Sequence, residues 1–76
     1  DATITRMIRL FDNERSTEVR RNIVTILGES FHPRATRKLI EIARDSQSEQ
    51  VRKRATFWLG KSTDPVALEY FEAMFR

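Results

Sequence analysis

The sequence predicts an all-α fold in which antiparallel helix pairs stack side by side. Two observations lead to this prediction: the chain repeats itself at an interval of 32 residues, and the apolar residues of each repeat follow helical spacing. A third observation is the position of the helix start signals: N-cap residues and two prolines occur where the apolar pattern restarts. Such a period is typical of solenoids, in which each unit packs only on its neighbours.

The repeat extends over the whole chain. Ten of the 44 residue pairs separated by 32 positions are identical, where average composition gives roughly two or three. The identical pairs are Ile8/Ile40, Ser16/Ser48, Val19/Val51, Arg20/Arg52, Leu27/Leu59, Gly28/Gly60, Ser30/Ser62, Pro33/Pro65, Ala35/Ala67 and Arg44/Arg76. We therefore expect one segment over residues 1–76 with about two and a half repeats, a fragment of a longer array.

The first repeat contains two predicted helices. Residues 2–11 form the first, with Met7, Ile8, Leu10 and Phe11 on one side. Ser16 or Thr17 is the expected N-cap of the second, over residues 17–29. Its apolar stripe follows the spacing i, i+4, i+7, i+8 and consists of Val19, Ile23, Ile26 and Leu27. Gly28 lies just before the next turn, which fits a helix end.

The second repeat follows the same pattern, and a third begins. His32 and Asp64 each precede a proline, which predicts helix starts for residues 33–44 and 65–75. Ser48 is the expected N-cap of a helix over residues 49–61, in which Gly60 takes the place of Gly28. The apolar stripe of that helix is Val51, Ala55, Trp58 and Leu59.

The composition predicts a chain without catalytic or cofactor chemistry. There is no cysteine and only one histidine, so thiolate chemistry and a histidine metal site are excluded from this sequence. The two glycines are 32 residues apart, so there is no glycine-rich phosphate loop. We expect neither cofactor nor metal, and no enzyme. No signal peptide or membrane span is recognised, which makes a cytoplasmic location the default expectation.

The second helix of each repeat resembles that of the HEAT repeat family. The family pattern is an acidic loop, then Val-Arg, and Leu-Gly at the helix end. It matches here at Val19-Arg20 with Leu27-Gly28 and at Val51-Arg52 with Leu59-Gly60, and Asp64-Pro65-Val66-Ala67 resembles the start of a next repeat. The resemblance covers essentially the whole chain and is closest to the short bacterial HEAT-like repeats, which include relatives of phycobilisome lyases.

The resemblance implies a right-handed α-solenoid, an armadillo-like superhelix. The first helices of the repeats (A helices, 2–11, 33–44 and 65–75) would form its convex side, and the second helices (B helices, 17–29 and 49–61) its concave side. HEAT arrays mostly hold protein partners, so the resemblance implies a non-catalytic interaction scaffold. Because they recur in register, we expect Arg20 and Arg52 to be structural ties rather than a ligand-binding ladder. Each would reach back to the acidic loop residue, Asp12 (or Asn13) and Asp45, or across to the adjacent repeat.

The candidate binding residues lie on one flank of the B helices. Arg54, Phe57 and Lys61 place an aromatic ring between two cations at i, i+3 and i+7, and Arg21 and Lys53 add positive charge. The net charge of +3 favours an acidic protein partner. Two alternatives stay open: a nucleic-acid-binding module that uses the same cations, and a regulatory or lyase-type segment of a larger enzyme. Self-association through the uncapped ends is a further expectation.

Overall fold

The computed structural model describes residues 2–75, which form five α-helices joined by short turns. They are α1 (Ala2–Asn13), α2 (Thr17–Ser30), α3 (Pro33–Asp45), α4 (Glu49–Lys61) and α5 (Pro65–Met74). No strand occurs within these residues. The predicted all-α fold is confirmed, and the helix bounds differ from the expected ones by two residues at most. Asp1 and Arg76 lie outside the described residues, and so does the comparison of Arg44 with its repeat counterpart Arg76.

Side chains cap four of the helices at their first turn. Ser16 caps α2 and Ser48 caps α4, each through a hydroxyl that accepts an N–H three residues later at 3.3 Å. His32 accepts through Nδ1 at the start of α3, and Asp64 accepts through a carboxylate oxygen at the start of α5. A proline follows each of these two caps, so four starts lie where the sequence predicts them.

The two glycines lie in the last turns of α2 and α4, as the predicted bounds place them. Helix α2 continues for two residues beyond Gly28 to Ser30, and its C-cap Phe31 adopts the left-handed conformation with φ of 52°. Gly60 lies inside the last turn of α4, and neither glycine has positive φ. Neither glycine is thus the residue at which its helix ends. For Gly28, the absence of a side chain is the property that matters, because Trp58 packs directly against this position.

The helices form two layers. The A helices α1, α3 and α5 pack in sequence against one another, and the B helices α2 and α4 pack together beside them. Helices α1 and α2 pair, as do α3 and α4, so each complete repeat is a helical hairpin. A single apolar core runs between the layers, with Leu27, Leu59, Val24 and Val51 as its largest fully buried side chains. No helix within residues 2–75 is long and apolar enough to cross a bilayer.

Equivalent positions of the two repeats are not equally buried. Val19 on α2 is 40% exposed, whereas Val51 on α4 is completely buried, and Ile26 is more exposed than its counterpart Trp58. Helix α4 packs against α2, but no helix of the described chain packs against the outer side of α2. Val19 and Ile26 of the predicted apolar stripe are thus not core, because no helix within residues 2–75 covers the outer side of α2 as α2 covers α4.

Candidate functional site

The contact between the two B helices depends on Gly28. Trp58 of α4 packs directly against it: a Cβ atom on Gly28 would lie only 2.7 Å from the Trp58 Cβ and closer still to the indole ring. Only the absence of a side chain at position 28 allows this approach. Trp58 is half-buried against the core, and its ring meets that of Phe57 edge-on with centroids 5.5 Å apart. The packing fixes how α2 and α4 lie beside each other.

A cavity of about 420 Å³ opens on the surface of these two helices. Its lining residues are Arg21, Gln50, Lys53, Arg54 and Phe57. Four of the five residues predicted to bind a partner therefore border one cavity. Gln50 was not among the predicted residues, although its position one turn before Arg54 on α4 places it on the same side of the helix.

The two arginines of the cavity have no carboxylate partner within residues 2–75. Arg21 Nε is buried without a hydrogen-bond acceptor there, and Arg54 donates only to the Thr25 hydroxyl, at 3.3 Å. Lys53 forms an exposed ion pair with Glu49 at 3.2 Å on its own helix. Such an exposed pair contributes at most about 1 kcal/mol, so Lys53 can exchange this partner easily. The cavity is consequently a positively charged site whose two arginines are not neutralised within residues 2–75.

Phe57 supplies an exposed apolar surface at the border of the cavity. Its side chain is 57% exposed, and the Lys61 ammonium lies 5.0 Å from the ring centroid in cation–π geometry. Lys61 does not line the cavity itself but extends the positive charge along α4. The arrangement of Arg54, Phe57 and Lys61 along one side of α4 combines an apolar contact with charge on both sides.

Arg20 reaches the last turn of α1 and Arg52 reaches the turn before α4, and both donate to main-chain carbonyls. Arg20 Nε donates to the Phe11 carbonyl at 3.3 Å and its guanidinium lies 4.1 Å from the Phe11 ring centroid. Arg52 donates to the Ser46 carbonyl. Neither arginine forms an ion pair with Asp12 or with Asp45 within the described chain. The carboxylate partners expected from the sequence thus differ from the carbonyl acceptors in the structure.

Asp12 instead binds Lys38, whose ammonium lies 2.6 Å from both Asp12 and Glu41. Burial of Lys38 disfavours its charged form, but the hydrogen bonds and negative charges of the two carboxylates outweigh this, and the pKa of Lys38 is raised. The ion pair with Asp12 links α1 to α3. Asp45 borders a smaller cavity beside Lys38 and Arg20.

Antiparallel helix pairs stacked in two layers around one continuous core define an α-solenoid repeat protein. A family profile described as HEAT repeats matches residues 4–76, and the chain belongs to this family. HEAT repeats are commonly protein-interaction scaffolds, and the family is generally non-catalytic. Comparison with curated proteins and with solved structures gives no significant match.

Proposed function

We propose that the chain is an interaction scaffold that binds an acidic segment of a partner protein in the cavity between α2 and α4. The observation that carries the proposal is the convergence of Arg21 and Arg54, from two different helices, on one cavity without any carboxylate partner among residues 2–75. A partner carboxylate in the cavity would pair with guanidinium groups that no carboxylate neutralises within residues 2–75.

Phe57 gives the site a second kind of contact. An exposed aromatic ring beside unpaired cations fits an acidic segment that also carries an apolar side chain, because the ring can be covered while the charges pair. The cavity lies on the two B helices, which the repeat packing holds in place through Gly28 and Trp58. The binding surface is therefore largely formed before the partner arrives.

The test uses a fluorescent peptide with alternating glutamates and leucines and measures binding by anisotropy at about 50 and 200 mM salt. We expect Arg21→Glu to weaken binding at least about tenfold and Phe57→Ala to weaken it less. The matched control is Arg9→Glu, which changes the same charge at an exposed position of α1. If Arg21→Glu and Arg9→Glu lowered the affinity for the peptide equally, only net charge would matter and the proposed site would be refuted.

The nucleic-acid alternative is separated in the same experiment. A DNA duplex is titrated beside the peptide, because phosphate binding by many cations weakens by powers of ten over this salt range. Our proposal predicts that the peptide binds more tightly than DNA at the higher salt concentration. Tighter DNA binding with a steep salt dependence would assign the cations to phosphate and overturn the proposal.

A further inference from the structure

The cavity between α2 and α4 is lined mainly by hydrogen-bond donors. The described residues at its wall are three cations, an amide and an aromatic ring, namely Arg21, Lys53, Arg54, Gln50 and Phe57. None of these described lining residues is acidic. Because Lys53 has an exposed partner in Glu49, the two arginines carry the positive charge that is not balanced within residues 2–75. The cavity is therefore suited to a ligand with more than one negative charge and several acceptor oxygens.

A hydroxyl group between the two helices holds Arg54 in place. Arg54 Nη1 donates to Thr25 Oγ1 at 3.3 Å, and the same hydroxyl donates to the Arg21 carbonyl at 3.2 Å. Thr25 lies one turn after Arg21 on α2, so the guanidinium of Arg54 is held beside the turn that begins at Arg21. This is the one side-chain hydrogen bond of Arg54 within the described residues, and its other N–H groups are available to a ligand.

The charge of this side of the B helices changes between the two repeats. Glu18 and Glu29 on α2 have Gln50 and Lys61 as their counterparts on α4, 32 residues later. Helix α4 thus lacks the two carboxylates that α2 carries at these positions and gains a lysine. A residue that the stacking of repeats requires is expected in both repeats. The excess of cations on α4 is therefore better explained by a ligand than by packing.

We propose that the acidic group bound in this cavity is a phosphate monoester on a serine or threonine side chain of the partner. The proposal rests on the proposed function, because it specifies the ligand of the same site. A carboxylate has one negative charge and two oxygens, which a single arginine can satisfy in a bidentate pair. A phosphate monoester has about −1.5 to −2 charges at pH 7 and three acceptor oxygens. One such group pairs with Arg21 and Arg54 together, and a further oxygen accepts from Lys53 or Gln50.

The size and the border of the cavity fit a phosphorylated side chain of a protein. The volume of about 420 Å³ suits one small group. The exposed ring of Phe57 offers an apolar contact to a residue next to the phosphorylated one. Nucleic-acid binding instead uses cations spread along a backbone with one negative charge per phosphate. Here the unbalanced arginines converge on one cavity, which favours a single dianionic group.

The test compares three fluorescent peptides that differ at one position, which holds serine, glutamate or phosphoserine, and that all carry leucine two residues later to contact Phe57. We expect the phosphoserine peptide to bind at least about tenfold more tightly than the glutamate peptide, and the serine peptide to bind most weakly. Lowering the pH from about 7.5 to about 5.5 protonates the phosphate, whose second pKa is about 6, but leaves glutamate largely ionised. The phosphoserine peptide alone should therefore lose affinity, by about threefold.

Arg54→Gln tests whether two arginines share one phosphate. It leaves a single arginine in the cavity, which is enough for a carboxylate, so the phosphoserine peptide should lose most of its advantage over the glutamate peptide. Arg9→Gln is the matched control, because it removes the same charge from an exposed position of α1, and it should leave the advantage unchanged. An advantage that Arg54→Gln and Arg9→Gln reduced equally would overturn the proposal.

The other outcomes separate this proposal from the proposed function. Equal affinities for the glutamate and phosphoserine peptides, both lost in Arg21→Glu, would overturn the phosphate assignment and leave the acidic binding site standing. If neither peptide bound, both proposals would fail. Inorganic phosphate is titrated as a competitor. If it displaced the phosphoserine peptide at a concentration close to the Kd of that peptide, the ligand would be the free ion and the assignment to a partner protein would be wrong.

Discussion

Gly28→Ala is the substitution that tests the packing between the repeats most directly. In an exposed helix interior, alanine is more stable than glycine by about 1 kcal/mol. At position 28, however, the new methyl group would lie 2.7 Å from the Trp58 Cβ, far inside the distance of normal contact. Overpacking of this kind costs about 1–3 kcal/mol, and displacement of a half-buried tryptophan adds to it. We expect a net loss of about 2 kcal/mol.

Gly60→Ala is the matched control. The same substitution at the equivalent position meets no neighbour, so the gain in helix propensity remains and stability rises by about 0.5–1 kcal/mol. Urea denaturation followed by circular dichroism measures both changes. In thermal unfolding, 1 kcal/mol corresponds to about 4–8 °C for a domain of this size.

The double variant isolates the cause. In a Trp58→Gly background neither the indole ring nor the Cβ of residue 58 remains, so adding Gly28→Ala should stabilise the chain by about 1 kcal/mol instead of destabilising it. If Gly28→Ala stabilised the chain with Trp58 present as much as Gly60→Ala does, Trp58 would not rest on Gly28 and the described contact between repeats would be wrong.

Three further predictions concern stability and use the same urea assay. Val51→Ala should cost about 1.5–3 kcal/mol because Val51 is fully buried, and Val19→Ala less than about 0.5 kcal/mol; equal losses would contradict the difference in burial. Lys38→Met should cost about 1 kcal/mol at pH 7. Since the pKa of Lys38 is raised in the folded state, this contribution is complete below the ordinary lysine pKa of 10.5 and is lost as the pH rises through the folded-state value. If the difference in unfolding free energy between the original chain and Lys38→Met already shrank near neutral pH, the assignment would be refuted. Ser48→Ala should cost about 1 kcal/mol by removing the cap of α4, and Ser48→Thr should retain most of it; equal losses in the two would show that the hydroxyl does not cap.

The helices and their starts could be predicted from the sequence because the signals are local. A cap such as Ser48 acts within three residues, and the apolar spacing of a helix shows in a short window. The 32-residue repeat also made the stacking of the helix pairs predictable from the sequence. What it could not show was the difference between Val19 and Val51, because that depends on whether another helix covers the position.

The candidate site was predictable in part for the same reason. Arg54 and Phe57 share one side of α4, which helical geometry implies, and Arg21 follows from the register with Lys53. The seat of Trp58 on Gly28 was missed, since glycine near the end of a helix usually indicates a cap. The sequence did show that the helix could continue past Gly28, because Ser30 and Phe31 follow before any proline. Gly28 therefore did not need to be a cap.

The acceptors of Arg20 and Arg52 determine how freely the turns between helices can change. Both guanidinium groups bind main-chain oxygens, that of Phe11 just before the α1–α2 turn and that of Ser46 in the α3–α4 turn, and every amino acid provides such an oxygen. Neighbouring side chains in these turns can therefore be exchanged in protein engineering without loss of the arginine anchor. Shortening or lengthening a turn is a different matter, because it moves the carbonyl out of reach.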